Sequence, residues 1–126
     1  MRILLIEPDL LQANIYRQIL AAAGHTVDYV RSAQSAVHIA DGHRPDLVLL
    51  ELELPNHNGV EFLYEFRSYP EWLDIPVIIH SFVPPAELIH VQTLGNELGV
   101  VRCLYKPETT LVGLCSAVQS VALAQV

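Results

Sequence analysis

The chain has 126 residues, enough for one domain with an ordinary core, and 52% of them are apolar with a mean hydropathy of +0.34, which excludes a disordered chain. Seven Lys and Arg against fourteen Asp and Glu give a formal charge of −7 with no basic cluster, which argues against direct nucleic-acid binding because phosphate neutralisation supplies most of that affinity. No apolar run approaches membrane-spanning length, the Met1–Ile6 opening is too short for a signal peptide, and Cys103 and Cys115 lack metal-ligand spacing, so a cytoplasmic chain with two reduced thiols and no membrane contact is expected.

Ile3-Leu4-Leu5-Ile6 is a short, wholly apolar segment ending on Glu7, the pattern of a strand buried on both faces. Asp9 is a candidate N-cap for a helix in which Leu11, Ile15, Ile19 and Ala22 recur at three- and four-residue intervals before Gly24. Thr26 to Val30 favours a strand. Ser32 can cap a second helix with the narrow stripe Ala33, Ala36, Val37 and Ala40, stopped by Asp41-Gly42.

The chain is organised around Asp46–Gly59, DLVLLELELPNHNG. Leu47 to Leu50 reads as a second fully buried strand, Glu51 and Glu53 then alternate with leucines, and Pro55-Asn56-His57-Asn58-Gly59 is rich in turn formers. A helix is expected over Val60–Ser68 with Phe62, Leu63 and Phe66 inward, ended by Tyr69-Pro70, with Trp72 and Leu73 packing the following loop down. Val77-Ile78-Ile79 predicts a fourth buried strand running into His80-Ser81-Phe82. Pro84-Pro85 is read as the start of a helix carrying Leu88, Val91, Gln92, Leu94 and Leu98, weakened at Gly95 and ended by Gly99.

Val100 to Tyr105 predicts a fifth strand closed by Lys106-Pro107. The last helix starts near Thr109-Thr110 with a core stripe of Leu111, Leu114, Cys115, Val118, Val121 and Ala122, while Val112, Ala117 and Leu123 lie off it. Five strand-then-helix units in a single domain spanning 1–126 predict an α/β fold, a doubly wound five-stranded parallel sheet with helices on both faces. The first, third, fourth and fifth strands, the most uniformly apolar, are expected at its centre.

Ligands of such sheets bind at the carboxyl ends of the strands. There the predicted fold collects Glu7 and Asp9, Glu51, Ser81 and Lys106. Acids that can hold a divalent cation, with a hydroxyl and an ammonium that can bind phosphate oxygens, are the parts of a phosphoryl-handling site.

With those residues in place, the sequence resembles the receiver domain of two-component response regulators over essentially the whole chain. The likeness is carried by ILLIEPD at the start, DLVLLELELPNHNG in the middle, IPVIIHS after the third helix and CLYKP near the end. It implies a flavodoxin-like (βα)5 sheet of strand order 2-1-3-4-5. It also implies a magnesium-binding acid pair, a phosphoacceptor aspartate, a hydroxyl, and a lysine before a cis proline. Residue by residue, Glu7 matches the first acid, Glu51 the phosphoacceptor, Ser81 the hydroxyl, Lys106 the lysine and Gly59 the loop glycine.

The departures bear on the chemistry. Glu51 stands where the family has aspartate, and its additional methylene moves the carboxylate roughly 1.5 Å outward, while misplacements of about 1 Å cost on the order of 100-fold in a displacement. Pro8 replaces the second acid, leaving Asp9 one place later as a helix cap, so a Mg2+ site built from Glu7, Glu51 and Glu53 is expected to be weak. Cys103 replaces the switch aromatic three residues before the lysine, and Phe82 replaces the small residue after the hydroxyl.

Three readings follow. In the first, this is a pseudo-receiver: a non-enzymatic binding module for two-component signalling in which Glu51 reaches Lys106 and its charge substitutes for a phosphoaspartate, as opposed to Glu51 being a solvated acid in a relic pocket. In the second, it is a working phosphoacceptor taking a phosphoryl group on Glu51 or Glu53 from a histidine kinase. In the third, His57 and His80 join the carboxylates in a metal or acid/base site, although strand alternation turns His80 under a helix, away from Ser81. The resemblance places a partner, whether sensor kinase, output domain or a second copy in a homodimer, on the fourth helix, fifth strand and fifth helix, where Ile89, Val91, Val112, Ala117 and Leu123 are the surplus apolar residues.

Overall fold

The computed structural model of the protein describes residues 1–55, 57–88 and 91–125, the side chains of 57 and 91–93 excepted. The apolar segments pair in parallel as β1 (Arg2–Ile6), β2 (Thr26–Val30), β3 (Leu47–Leu50), β4 (Val77–Ser81) and β5 (Val100–Tyr105), side by side in the order β2-β1-β3-β4-β5. β3 is therefore the middle strand, with Leu47, Val48, Leu49 and Leu50 each at most 1% exposed. Alternation along the strands divides the interior in two. Leu4, Ile6, Val48, Leu50, Val77 and Ile79 face one layer; Ile3, Leu5, Leu47, Leu49 and Ile78 face the other.

The first layer holds α2 (Ala33–Gly42), α3 (Gly59–Arg67) and α4 (Val91–Asn96); the second holds α1 (Leu10–Ala22) and α5 (Leu111–Ala124). Side-chain caps start three helices where the sequence marks them: Asp9 accepts from the Gln12 amide, Ser32 from Ser35 and Thr110 from Gly113; Asn58, read only as a turn former, caps α3 by accepting from Glu61. Phe62, Phe66 and Trp72 stack in series, with ring centroids 5.4 and 5.0 Å apart, and pin α3 to the following 3₁₀ turn Pro70–Trp72.

Several expectations are corrected. α1 buries Ala13, Tyr16 and Leu20, whereas Leu11 is 77% and Ile15 49% exposed, so the helix is turned away from its expected stripe, of which only Ile19 packs against the core. Both stripes satisfy a helical period, and packing chose the one in which Tyr16 meets β4. β5 is an edge strand, not a central one: the order leaves it one neighbour, and a bulge in the β4 pairing pushes Val101 out of register and into solvent. Pro84-Pro85 begins no α-helix but the 3₁₀ turn Pro85–Glu87, and α4 follows only at Val91–Asn96. In α5 Ala117 is buried and Leu111 exposed, the reverse of the expected assignment, while Val112 and Leu123 are exposed as expected. Leu73 is also exposed, and the loop is held down by Trp72 and Ile75 instead. Two further two-residue strands, Glu53–Leu54 and His57–Asn58, make an antiparallel ladder after β3. Among the described residues no peptide bond is cis, and Pro107 sits in a 3₁₀ turn, Lys106–Glu108. The expectations for Asn56 and Ile89, and for the side chains of His57, Val91 and Gln92, fall outside the described residues.

Arg67, at the end of α3, donates Nε to the Leu98 carbonyl at 2.8 Å, Nη1 to Trp72 at 2.5 Å and Nη2 to Ile75 at 2.5 Å. The guanidinium lies where a side chain at Gly99 (φ +69°) would stand. Arg67→Met would orphan three carbonyls, and we expect it to lower unfolding stability by about 3 kcal/mol, measured by urea denaturation, with Arg67→Lys recovering only part of the loss.

Candidate functional site

The carboxyl edge of the sheet converges on one ammonium. Glu7 directly follows β1, Glu51 directly follows β3, Ser81 ends β4, and the segment after β5 delivers Lys106, all of them buried at 9% exposure or less. Lys106 Nζ donates to Glu7 Oε1 at 2.5 Å and to Glu51 Oε1 at 2.8 Å. Ser81 Oγ donates to Glu51 Oε2, and the amides of Glu53 (3.1 Å) and Phe82 (3.4 Å) also point at this carboxylate. The other Glu7 oxygen accepts from the Asp9 amide at 3.0 Å. The Val83 amide donates to Ser81 Oγ at 3.0 Å, tying the loop after β4 into the same network.

Geometry explains the charge states. Burial pushes both carboxyls up; for Glu51 the hydrogen bonds from Lys106, Ser81 and the Glu53 amide outweigh it, holding that group below the ordinary glutamate value. For Glu7 burial wins over Lys106 and the Asp9 amide, and its carboxyl lies above the ordinary value. One ammonium between two buried acids thus leaves Glu51 the ionised partner and makes Glu7 the one more readily protonated.

The direct reach of Glu51 to Lys106 anticipated from sequence is present, and at 3% exposure Glu51 is not a solvated acid. Asp9 is brought to the rim only as a cap. Glu53 contributes its amide while its side chain stays in solvent. Gly59 opens α3 tightly against the strand end: an added Cβ would lie 2.8 Å from Leu52 Cα, so no other residue fits without displacing backbone. Cys103 is half-buried, and burial raises its thiol. His80 is turned away from Ser81, its ring edge-on to Tyr16 with centroids 5.0 Å apart. Burial, with Lys106 nearby, drives its value down to about 4, so the imidazole is neutral. Two features escaped sequence reasoning. Lys106 is shared with Glu7, and the Phe82 ring, itself 48% exposed, covers Lys106 Nζ at 4.9 Å. The only signal for the latter is an aromatic directly after Ser81.

A magnesium ion does not fit these donors. Both Glu7 oxygens are engaged, Pro8 has no side-chain donor, the Asp9 carboxylate caps α1 and Glu53 points away; among the described residues no three His, Cys, Asp or Glu side chains are grouped to hold a metal.

The architecture is that of a flavodoxin-like α/β domain with a carboxylate and lysine centre at the carboxyl edge of its sheet. The chain belongs to the response regulator receiver domain family, which matches residues 3–119. It is 30% identical over 106 residues to the polar-differentiation response regulator DivK of Brucella anthropi, covering 83% of this chain and 86% of that protein. Among solved structures it is similar to the signal receiver domain of a signal transduction histidine kinase from Syntrophus aciditrophicus, with a TM-score of 0.82, 26% identity, and coverage of 95% of this chain and 88% of that one. It shares the fold of chemotaxis protein CheY4 of Vibrio cholerae, with a TM-score of 0.82, 20% identity, and coverage of 95% and 97%. Receiver domains are two-component signalling modules that work with histidine kinases and output domains and bind Mg2+ at the phosphorylation site. Among the described residues no helix is long and apolar enough to cross a membrane.

Proposed function

We propose that this receiver works without phosphoryl transfer, as one signalling unit spanning the chain, held by its own charges in the state a phosphoaspartate would otherwise create. The observation that carries the reading is the saturation of Glu51: Lys106, Ser81 and the amides of Glu53 and Phe82 are all directed at its two oxygens. In the family's pattern the hydroxyl and the lysine are the groups that receive phosphoryl oxygens. Here they are already satisfied by a carboxylate one methylene longer than aspartate, and a phosphodonor would have to displace them to reach Glu51. The ring of Phe82 over Lys106 narrows that approach further. In this reading Glu51 is the phosphoacceptor equivalent, Ser81 and Lys106 are the phosphate-binding equivalents, and Cys103 has lost the switch function. Signalling then passes through contacts on α4, β5 and α5; beside β5 and α5, on the side away from α4, Asp74, Pro76, Val101, Arg102, Ala117 and Val121 line a groove of about 400 Å³.

The test is incubation with acetyl phosphate and Mg2+ followed by intact mass. We expect no gain of about 80 Da in the native chain. Pro8→Asp with Glu51→Asp, which restores both acids, should acquire it. Labelling of the native chain, or of Glu53 mapped by peptide analysis, would overturn the reading in favour of a working phosphoacceptor.

A further inference from the structure

The bulge in β5 has an effect beyond the sheet. Val77 of β4 lies opposite Val100 but Ile78 lies opposite Arg102, so two residues of β5 answer one step of β4. Ile78 faces the α1–α5 layer, which puts Arg102 on that side of its strand, and the surplus residue Val101 stands beside it at 51% exposure. Both line the groove of about 400 Å³ at the amino edge of the sheet, with Pro76 and, from α5, Ala117, Val121 and Ala124 at helical spacing. Alanine at two of those three positions leaves the groove hollow.

Arg102 is its uncommitted group. Among the described residues it is the one side chain of seven Lys and Arg with no hydrogen bond, ion pair or ring contact. Arg2 and Arg44 hold aspartates, Arg31 and Arg67 hold carbonyls, Arg17 faces the Tyr29 ring, and Lys106 holds its two glutamates. The polar neighbours in the groove are engaged elsewhere: Asp74 with Arg44 at 2.7 Å, the Ser120 hydroxyl with the Ser116 carbonyl at 3.0 Å, and the Gln125 amide with the Asp46 carbonyl at 2.9 Å.

We propose that this groove binds a small monocarboxylate with an apolar body, its head on the Arg102 guanidinium and its chain along Val101, Ala117, Val121 and Ala124. The volume lies in the range of small-molecule sites, which join an apolar lining to a few placed polar groups. A guanidinium fork matches a carboxylate with two parallel hydrogen bonds. A dianion such as a phosphate ester is disfavoured by Asp74 in the same groove and by the overall charge of −7, and a cation would meet Arg102. Ala117 to Ala124 spans about 10 Å along α5, the length of an extended chain of about eight carbons. The site lies at the opposite edge of the sheet from Lys106, and does not depend on how Glu51 is read.

Titration of the full chain with octanoate, followed by backbone amide shifts, tests it. Saturable shifts are expected at Val101, Arg102, Ala117, Ser120 and Ala124, with a dissociation constant on the order of 1 mM for a ligand of this size. Octylamine, with the same chain and the opposite charge, and Arg102→Gln titrated with octanoate should each bind about tenfold more weakly or worse. Ala124→Phe, at an exposed position, fills the groove and should abolish the shifts, while the amide spectra of both variants report that they are folded. Inorganic phosphate, which has no apolar body, should leave these amides unmoved. The absence of saturable shifts at about 20 mM octanoate, well above the expected constant, would overturn the proposal. So would equal binding of octylamine, undiminished binding to Arg102→Gln, or shifts confined to residues outside the groove.

Discussion

Replacing Lys106 with methionine is expected to cost about 3–5 kcal/mol of unfolding stability at pH 7, the range for removing one partner of a buried ion pair. The side chain is close in length and apolar, so packing changes little; what is lost is the cation between Glu7 and Glu51, two carboxylates left within a buried edge of the sheet. Among the described residues Glu51 retains Ser81 and two amides, whereas Glu7 retains the Asp9 amide alone, so Glu7 should take up a proton first. The loss should therefore shrink as pH is lowered toward 4. Adding Glu7→Gln and Glu51→Gln to Lys106→Met removes the stranded charges and should recover most of the stability, since replacing a whole buried charge cluster is far cheaper than breaking it. Urea unfolding at pH 7 and pH 5 checks this. A loss under about 1 kcal/mol, the scale of an exposed pair, would mean that the cluster does not hold the strand ends together.

The second large effect is an acid sensitivity that runs through His80. In the folded chain its imidazole, buried against Tyr16, stays neutral down to about 4, whereas in the unfolded chain it titrates near 6.5. Between those values the unfolded state binds a proton that the folded state refuses, so stability is complete above pH 6.5 and falls as pH drops. The difference of pKa corresponds to about 3 kcal/mol across that window. Glu51, held below its ordinary value, adds to the loss only at lower pH, as its own carboxyl protonates; Glu7, held above, works in the opposite sense, costing stability as pH rises through its folded value. His80→Phe keeps an aromatic edge for Tyr16 and removes the imidazole. Subtracting the two stability curves from pH 7 to pH 4 should isolate a difference of about 3 kcal/mol. Parallel curves would sink this assignment.

Much of the site was legible because it depends on strand ends. Apolar runs of four or five residues that stop on a charged or hydroxyl residue placed Glu7, Glu51 and Ser81 at one rim, and Asp9 was readable as a cap from its position before a helical period. What was not legible depends on side-chain reach between strands. Lys106 lies beyond the edge strand β5, yet its Nζ reaches Glu7 at the end of β1, two strands further than its nearest neighbour β4. Nothing in spacing reports that distance. The α1 stripe failed for a related reason: Leu11, Ile15, Ile19 and Ala22 recur as regularly as Ala13, Tyr16 and Leu20, and helical periodicity cannot choose between two such faces.

By itself the sequence determined the class of the protein: alternating buried strands and capped helices, a parallel sheet, a rim of acids, hydroxyl and lysine, and a glutamate and a proline where receivers carry acids. These are local properties of a chain, decided by side-chain volume, period and cap chemistry. The tertiary structure alone decided that one ammonium is divided between two glutamates, that Phe82 covers it, that His80 is sealed under Tyr16, and that a bulge in β5 brings Val101 and Arg102 to one groove beside α5. Each of those turns on which strands are neighbours and which helix face meets the sheet, and such distances exist only once the strands are in order.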